Sequence, residues 1–302
     1  MPLSPDPAAR RARALAALEG LSVGDAFGER FLEPGGIARL ARRELAPPPW
    51  RWTDDTAMAL SVVEVLCAEG RIEPDALARA FARRYATDPR RGYGRAAHGI
   101  LRAIGAGVPW REASAAPFGG QGSFGNGGAM RAAPIGAYFA DDPARVAAEA
   151  EASALPTHHH PEGRAGAVAV AVAAAWVLRS EGRPAALFEA VLASLPPGET
   201  RAGVARAAGL SPDESPEAAA ATLGSGQRVS APDTVPFCLW VVARHREDYA
   251  AALWCAARGL GDADTTCAIV GGILGAALGP DAIPQAWREA REPLPAPSAA
   301  GG

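Results

Sequence analysis

The feature that most constrains the fold of this chain is a spacing. Apolar residues return at three- and four-residue intervals along almost its whole length, and strict polar–apolar alternation is nearly absent. Leu15, Leu18 and Val23 recur this way behind Pro7 and predict a helix over 8–23. A second helix is predicted over 54–68, with Thr53 or Asp54 as its N-cap and Gly70 as its stop. Further segments of this kind cover 74–85, 94–104, 129–139 apart from Pro134, 143–154, 160–178, 185–195, 201–210, 236–243, 247–258, 265–278 and 284–289. Residues 211–232 are polar and read as a long surface loop or short helices. Several helices are apolar on more than one face, so central helices ringed by others are expected. The expected fold is all-α, a single compact domain of orthogonally packed helices over 1–292. The Pro-, Ala- and Gly-rich residues 293–302 are expected to form a disordered tail.

A chain of 302 residues is long enough to bury a sizeable core, and no linker divides it. The formal net charge of −3 leaves no basic surplus for strong general nucleic-acid binding. Cys67, Cys238, Cys255 and Cys267 are scattered, without a CxxC pair, and are expected as free thiols of a reducing compartment. The N-terminus has no apolar signal-peptide core, and the apolar run 165–178 is short for a membrane span. A cytoplasmic protein without a membrane partner is the expectation. The oligomeric state stays open.

Two acidic clusters stand at opposite ends of the chain: Thr53-Asp54-Asp55-Thr56 and Asp262-Ala263-Asp264-Thr265, each opening an apolar helical run. Taken singly, each reads as ordinary helix capping, since Thr and Asp satisfy the free N–H groups of a first turn. Taken together, they offer enough hard oxygen ligands for two divalent cations. Carboxylates gathered in one place repel one another unless a cation neutralises them. An oxygen-only donor set without nearby Cys argues for Mg²⁺ or Mn²⁺ over zinc.

Between these clusters lies Phe118-Gly119-Gly120-Gln121-Gly122-Ser123-Phe124-Gly125-Asn126-Gly127-Gly128. Its glycines either supply positive φ angles to a tight loop or bare backbone N–H groups that cradle a phosphate or diphosphate. It is neither a Walker A sequence nor a dinucleotide-binding fingerprint. The tract His158-His159-His160 does not read as a metal site, because adjacent histidines in a turn point different ways, but one of them can meet a ligand. Near the N-terminus, the small residues of Gly24-Asp25-Ala26-Phe27-Gly28 permit close helix packing. Asp25 reads as a buried polar tie to a neighbouring helix, and Glu29 shares its face if the helix continues.

In this order, GLSVGDAFG from Gly20, WTDDTAMAL from Trp52, GSFGNGGAMRAAPIG from Gly122, THHHPEG from Thr157 and GDADTTCAIVGGILGAALG from Gly261 resemble the ADP-ribosylglycohydrolase family over most of the chain. The resemblance implies an all-α fold with two Mg²⁺ ions in a cleft, Mn²⁺ being the alternative ion. It implies that Thr53, Asp54, Asp55, Asp262, Asp264 and Thr265 bind the metals. Ser123, Gly125, Asn126, Gly127, Gly128, Met130 and His158 would line the ADP-ribose pocket. Glu29 and Asp55 are the carboxylates expected to serve catalysis. The implied reaction hydrolyses the bond at the anomeric carbon of the distal ribose, releasing ADP-ribose from an ADP-ribosylated protein, nucleic acid or small molecule.

The chain departs from the family at one telling place. Many members carry a functional acidic residue eight positions after the first Gly of GDAxG, where this chain has Leu32, with Glu29 before it and Glu33 after. Glu29 is favoured over Glu33 because it shares the Asp25 face. Two other functions compete: an ADP-ribose-binding protein that does not turn over, and a binuclear-metal hydrolase of another phosphorylated nucleotide.

Overall fold

The computed structural model describes residues 3–179 and 183–295. It is 70% helical, with 17 α-helices, two short 3-10 turns and no strand among the described residues. Only two isolated bridges, Trp50 with Arg291 and Gly125 with Ser230, pair extended backbone. The expected tail is described only as far as Pro295 and has no regular structure there; the rest lies outside the described residues. All four cysteines are free thiols.

The first helix runs Pro7–Leu32, nine residues past the predicted end at Val23. Asp6 caps it by accepting from the Ala8 and Ala9 amides. Its second half carries glycine at every fourth position, Gly20, Gly24 and Gly28, which forms a bare stripe one residue wide. Against this stripe lies the Ala263–Leu278 helix, in the most extensive helix–helix contact of the fold. A methyl group at Gly20, Gly24 or Gly28 would overlap the carbonyl oxygen of Gly271, Cys267 or Ala263 respectively. The two backbones therefore touch directly, and any side chain on the stripe would force them apart. This contact brings the two ends of the chain together.

Around that pair stand Asp54–Glu69, Ala133–Tyr138, Pro161–Arg179 and Ala231–Arg244. Pro161–Arg179 is long and apolar enough to cross a membrane by length and composition, yet 67% of its apolar window is buried by its neighbours. One face of the first helix ends in an aromatic cluster. Phe27 stacks on Trp287 with centroids 4.5 Å apart and meets Trp254 edge-on at 5.1 Å and Trp50 at 6.0 Å. Such pairs are worth roughly 0.5–1.5 kcal/mol each beyond their buried area. They hold the segment before Asp54 and the Gln285–Ala290 helix onto the first helix. Arg91 completes this wall: its guanidinium lies 3.6 Å from the centroid of the Trp52 ring and donates to the Trp52 carbonyl and to Glu292.

Some local readings differ from the structure. The helix expected over 129–139 is only Ala133–Tyr138, because Asn126–Gly128 forms a 3-10 turn and Pro134 starts the helix instead of interrupting it. Pro236 lies inside a helix, Ala231–Arg244, that begins earlier than predicted. Within 211–232 stands the short helix Pro216–Leu223, capped by Ser215. Gly36–Arg42 and Trp110–Ala115 are helices that the periodicity did not announce.

Candidate active site

Because the glycine stripe holds two helix backbones together, the Asp54–Glu69 and Ala263–Leu278 helices open onto one cleft of about 480 Å³. Asp54, Asp55, Asp262 and Asp264 all line it, with Thr265. The cleft is also lined by Ser123, Gly125, Asn126, Gly127, Met130 and His158. Thr53, Gly128 and Glu29 lie behind this surface. Thr53 is buried, and Gly128 packs close to the Gly163 carbonyl.

The geometry separates capping from the other possible work of these acids. Thr53 is the N-cap of its helix, with its hydroxyl 3.4 Å from the Asp55 amide. The stronger cap comes from another helix. Fully buried Asp25 accepts from the Thr53 amide at 2.9 Å and hydroxyl at 2.9 Å, and from the Thr56 amide at 3.1 Å and hydroxyl at 2.5 Å. Asp25 thus ties the Asp54–Glu69 helix to the first helix, as its reading as a buried polar tie anticipated. With the first turn satisfied this way, Asp55 Oδ1 is buried without a hydrogen-bond partner. On the other side Asp262 occupies an N-cap position but makes no capping bond. Its Oδ2 instead accepts from Asn126 Nδ2 at 2.7 Å, and Asp264 Oδ1 is buried and unpartnered. Buried polar atoms are almost always satisfied, so two orphaned carboxylate oxygens facing one cleft need an explanation.

Electrostatics point the same way. Burial pushes Asp54 up to about 8, with repulsion from Asp25 adding to it. Asp25 is pushed up to about 6 by burial, opposed by its bonds from Thr56 and Thr53. Asp55 and Asp264 are pushed well above the carboxylate range by burial and then by neighbouring carboxylates, Asp25 for the first and Asp262 for the second. Glu29 is raised by burial and by Asp25, and its charge is felt at Asp264, which places it on the flank of the cluster. Glu33 turns away, paired with Arg30 at 2.8 Å, and Leu32 is 48% exposed. The donor set of carboxylates and threonine hydroxyls, with its orphaned oxygens, fits a hard divalent cation. Among the described residues, no three His, Cys, Asp or Glu side chains are gathered closely enough to make a metal centre as they stand.

Opposite the acids is the glycine-rich loop. Its residues Phe118, Gly119 and Gly120 have positive φ, and Phe118 and Phe124 expose their rings at the cleft edge, with centroids 5.8 Å apart. Ser123 accepts from the Gly125 amide at 3.1 Å. Asn126 Nδ2 reaches Thr234 at 3.1 Å as well as Asp262, so one side chain couples the loop to the second acidic motif. His158 is buried, and burial and then Arg131 lower its pKa to about 3, so its imidazole is neutral. A side chain at Gly127 would bring a carbon within 3.0 Å of the His158 ring. The first turn of the Arg95–Gly105 helix forms part of the opposite rim.

Sequence reasoning had not placed Arg131, Phe118 or Thr234 at this site, nor the cap that Asp25 supplies. The one available signal for Asp25 was its position among glycines on a face shared with Glu29. Arg131 gave none, since an arginine after an apolar run reads as a surface residue.

The model of the family described as ADP-ribosylglycohydrolase matches residues 6–297. The chain belongs to this family. It is therefore an enzyme of the glycohydrolase class, as the family's other members are. The chain is 30% identical over 274 residues to the ADP-ribosylhydrolase ARH3 of Homo sapiens, covering 80% of this chain and 74% of that one. It is 32% identical over 159 residues to the ADP-ribosyl-[dinitrogen reductase] glycohydrolase of Rhodospirillum rubrum, covering 49% and 52%. A solved structure titled ADP-ribosylglycohydrolase-related protein complex superposes with a TM-score of 0.69 at 29% identity, covering 94% of this chain and 93% of the other. For an ADP-ribosylglycohydrolase, the acidic cleft faced by a glycine-rich loop is the candidate active site.

Proposed function

We propose that the enzyme is a Mg²⁺-dependent hydrolase that releases ADP-ribose from an ADP-ribosylated protein, nucleic acid or small molecule. One observation carries this reading: acids from opposite ends of the chain and the glycine-rich loop with His158 line a single cleft, and Asp55 and Asp264 offer unpartnered oxygens there. Asp54, Asp55, Asp262 and Asp264, with the hydroxyls of Thr53 and Thr265, would hold two Mg²⁺ ions, or Mn²⁺ in their place. When bound, these ions supply Lewis acidity and a fixed positive charge for vicinal ribose hydroxyls and water.

The chain's own residues account for the rest. Phe118 and Phe124 offer flat apolar faces at the rim for a purine. The bare backbone of Gly125 and Gly127, with Ser123 and Asn126 beside them and Gly128 supporting the turn from behind, would hold the diphosphate, and Met130 and His158 close the wall behind it. Water attacks the anomeric carbon through a transition state of oxocarbenium character, which the surrounding carboxylates stabilise electrostatically. Proton transfer would fall to Asp55, which lines the cleft, and to Glu29 on its flank, whose carboxyl burial and Asp25 raise. The leaving group meets the rim, where Arg95 and Val229 are exposed, so the rim selects among linkages.

One feature favours a second reading, an ADP-ribose-binding protein without turnover: Glu29 does not line the cleft, and the position where the resemblance implies an acid is the half-exposed Leu32. The deciding experiment measures free ADP-ribose released from arginine-, serine- and nucleic-acid-linked conjugates, with Mg²⁺ and with EDTA. Release that EDTA abolishes is expected from one conjugate. Tight ADP-ribose binding with no release from any would move the assignment to the binding protein.

A further inference from the structure

Arg131 is fully buried, and its hydrogen-bond partners are carbonyls and a hydroxyl. It lies 4.5 Å from the centroid of the Phe81 ring. Its Nη1 donates to the Gly127 carbonyl at 2.8 Å, and its Nη2 to the Ser153 carbonyl at 3.0 Å and the Thr157 hydroxyl at 2.7 Å. That hydroxyl stands 2.8 Å from His158 Nδ1. A guanidinium can only donate, so Thr157 Oγ1 accepts from Arg131 and keeps one proton to give away. Two acceptors are in reach. The Ala154 carbonyl, at 3.5 Å, already accepts from the Thr157 amide at 3.0 Å and the His158 amide at 2.8 Å, which fills both its lone pairs. The Thr157 proton therefore goes to His158 Nδ1, and the imidazole proton stands on Nε2. That edge of the ring faces the loop: a side chain at Gly125 or Gly127 would approach Nε2 to 3.4 or 3.2 Å.

We propose that Arg131 and Thr157 are positioning residues that lock His158 in its neutral Nε2–H tautomer, so that the cleft receives a hydrogen-bond donor beside the glycine-rich loop. The relay selects an oxygen acceptor with negative charge, the diphosphate of ADP-ribose on the function proposed above, and this part of the inference rests on that function. The buried guanidinium adds a second constraint. Its positive charge opposes a second proton on the ring, and its bond to the Gly127 carbonyl fixes the loop at the same time. One cation thus orders both partners of the ligand contact.

The test is two-bond ¹H–¹⁵N NMR of the histidine side chains in the full chain, with the His158 signals assigned by their loss in His158→Gln. Wild type is expected to show an unprotonated Nδ1 and a protonated Nε2 from pH 5 to 8, without and with ADP-ribose. Thr157→Val removes the hydroxyl and is expected to give a mixture of tautomers and to weaken ADP-ribose binding about tenfold. Thr157→Ser restores both. A protonated Nδ1 in wild type, or an unchanged single tautomer in Thr157→Val, overturns the proposal. If Thr157→Val does not fold, the wild-type and Thr157→Ser spectra decide alone. The expected tautomer with no ADP-ribose affinity would leave the relay standing and remove the proposed ligand.

Discussion

Two regions of this molecule are rich in glycine, and they use it for opposite reasons. Along the first helix, Gly20, Gly24 and Gly28 keep ordinary helical dihedrals. What excludes a side chain there is the backbone of another helix, already in contact. In the loop, Gly119 and Gly120 have nothing within 4 Å of a built Cβ, and what favours glycine is their positive φ, 68° and 88°. The first kind of glycine sets where the two acidic motifs meet. The second lets a loop bend along the acidic cleft. Composition treats them alike, while their energetic consequences differ severalfold.

The most destructive change should therefore fall on the helix stripe, far from any reacting atom. Gly24→Val would drive a branched side chain into the Cys267 carbonyl, where neither backbone can give way without separating the helices. Overpacking typically costs about 1–3 kcal/mol, and a clash with fixed backbone belongs at or beyond the upper end. Urea unfolding should show at least that loss, with no activity remaining. A Gly24→Val protein that kept its unfolding midpoint would end the account of how the two motifs are brought together.

Asp264→Asn should split stability from function. It removes one of the repelling buried charges, so in EDTA the fold should be as stable as wild type or more so. Turnover with Mg²⁺ should fall by more than about 100-fold, since even the outer partners of metal ligands are worth 10–100-fold. Equal turnover in the variant would remove Asp264 from the mechanism.

A pH series in EDTA tests the acidic cluster as a whole. Folding raises these carboxyls above their ordinary value near 3.8, Asp25 to about 6 and Asp54 to about 8. Between pH 4 and 8 the native state therefore binds more protons than the unfolded chain, and stability falls as pH rises through that window. The urea midpoint should decline across it, and Mg²⁺ should flatten or reverse the decline by favouring the charged forms. A midpoint that is flat in EDTA would mean that the acids are not buried together.

Much of this site was legible in the residue order. Periodicity located most helices, and the Thr-Asp-Asp-Thr and Asp-x-Asp motifs both fell at helix starts, though only the first makes a side-chain capping bond. Which helices touch was much less legible, because a helix face records its own polarity and not its partner. Only the fourfold glycine spacing hinted that something must come close. Arg131 was invisible for the same reason. Its burial depends on carbonyls from Gly127 and Ser153 and a hydroxyl from Thr157, all supplied by the folded chain. The helix end predicted at Val23 failed because the Gly24–Gly28 segment carries low helix propensity, and packing against Ala263–Leu278 overrides it.

The smallest effect expected is the one that isolates the second kind of glycine. Gly119→Ala meets no neighbour, so its cost is only that of holding an L-residue at positive φ, about 1 kcal/mol. Phe118 already adopts a φ of 56° next to it, which shows that the loop can hold a side-chain-bearing residue in that region. The unfolding midpoint should therefore move only slightly, and turnover should stay within about threefold of wild type. Gly127→Ala is the informative contrast within the same loop. There the added carbon presses on the His158 ring, and ADP-ribose affinity should drop while the midpoint scarcely changes. If Gly119→Ala proved as damaging as Gly24→Val, the loop would be packed against something in solution, and the distinction between contact glycines and dihedral glycines would not hold for this protein.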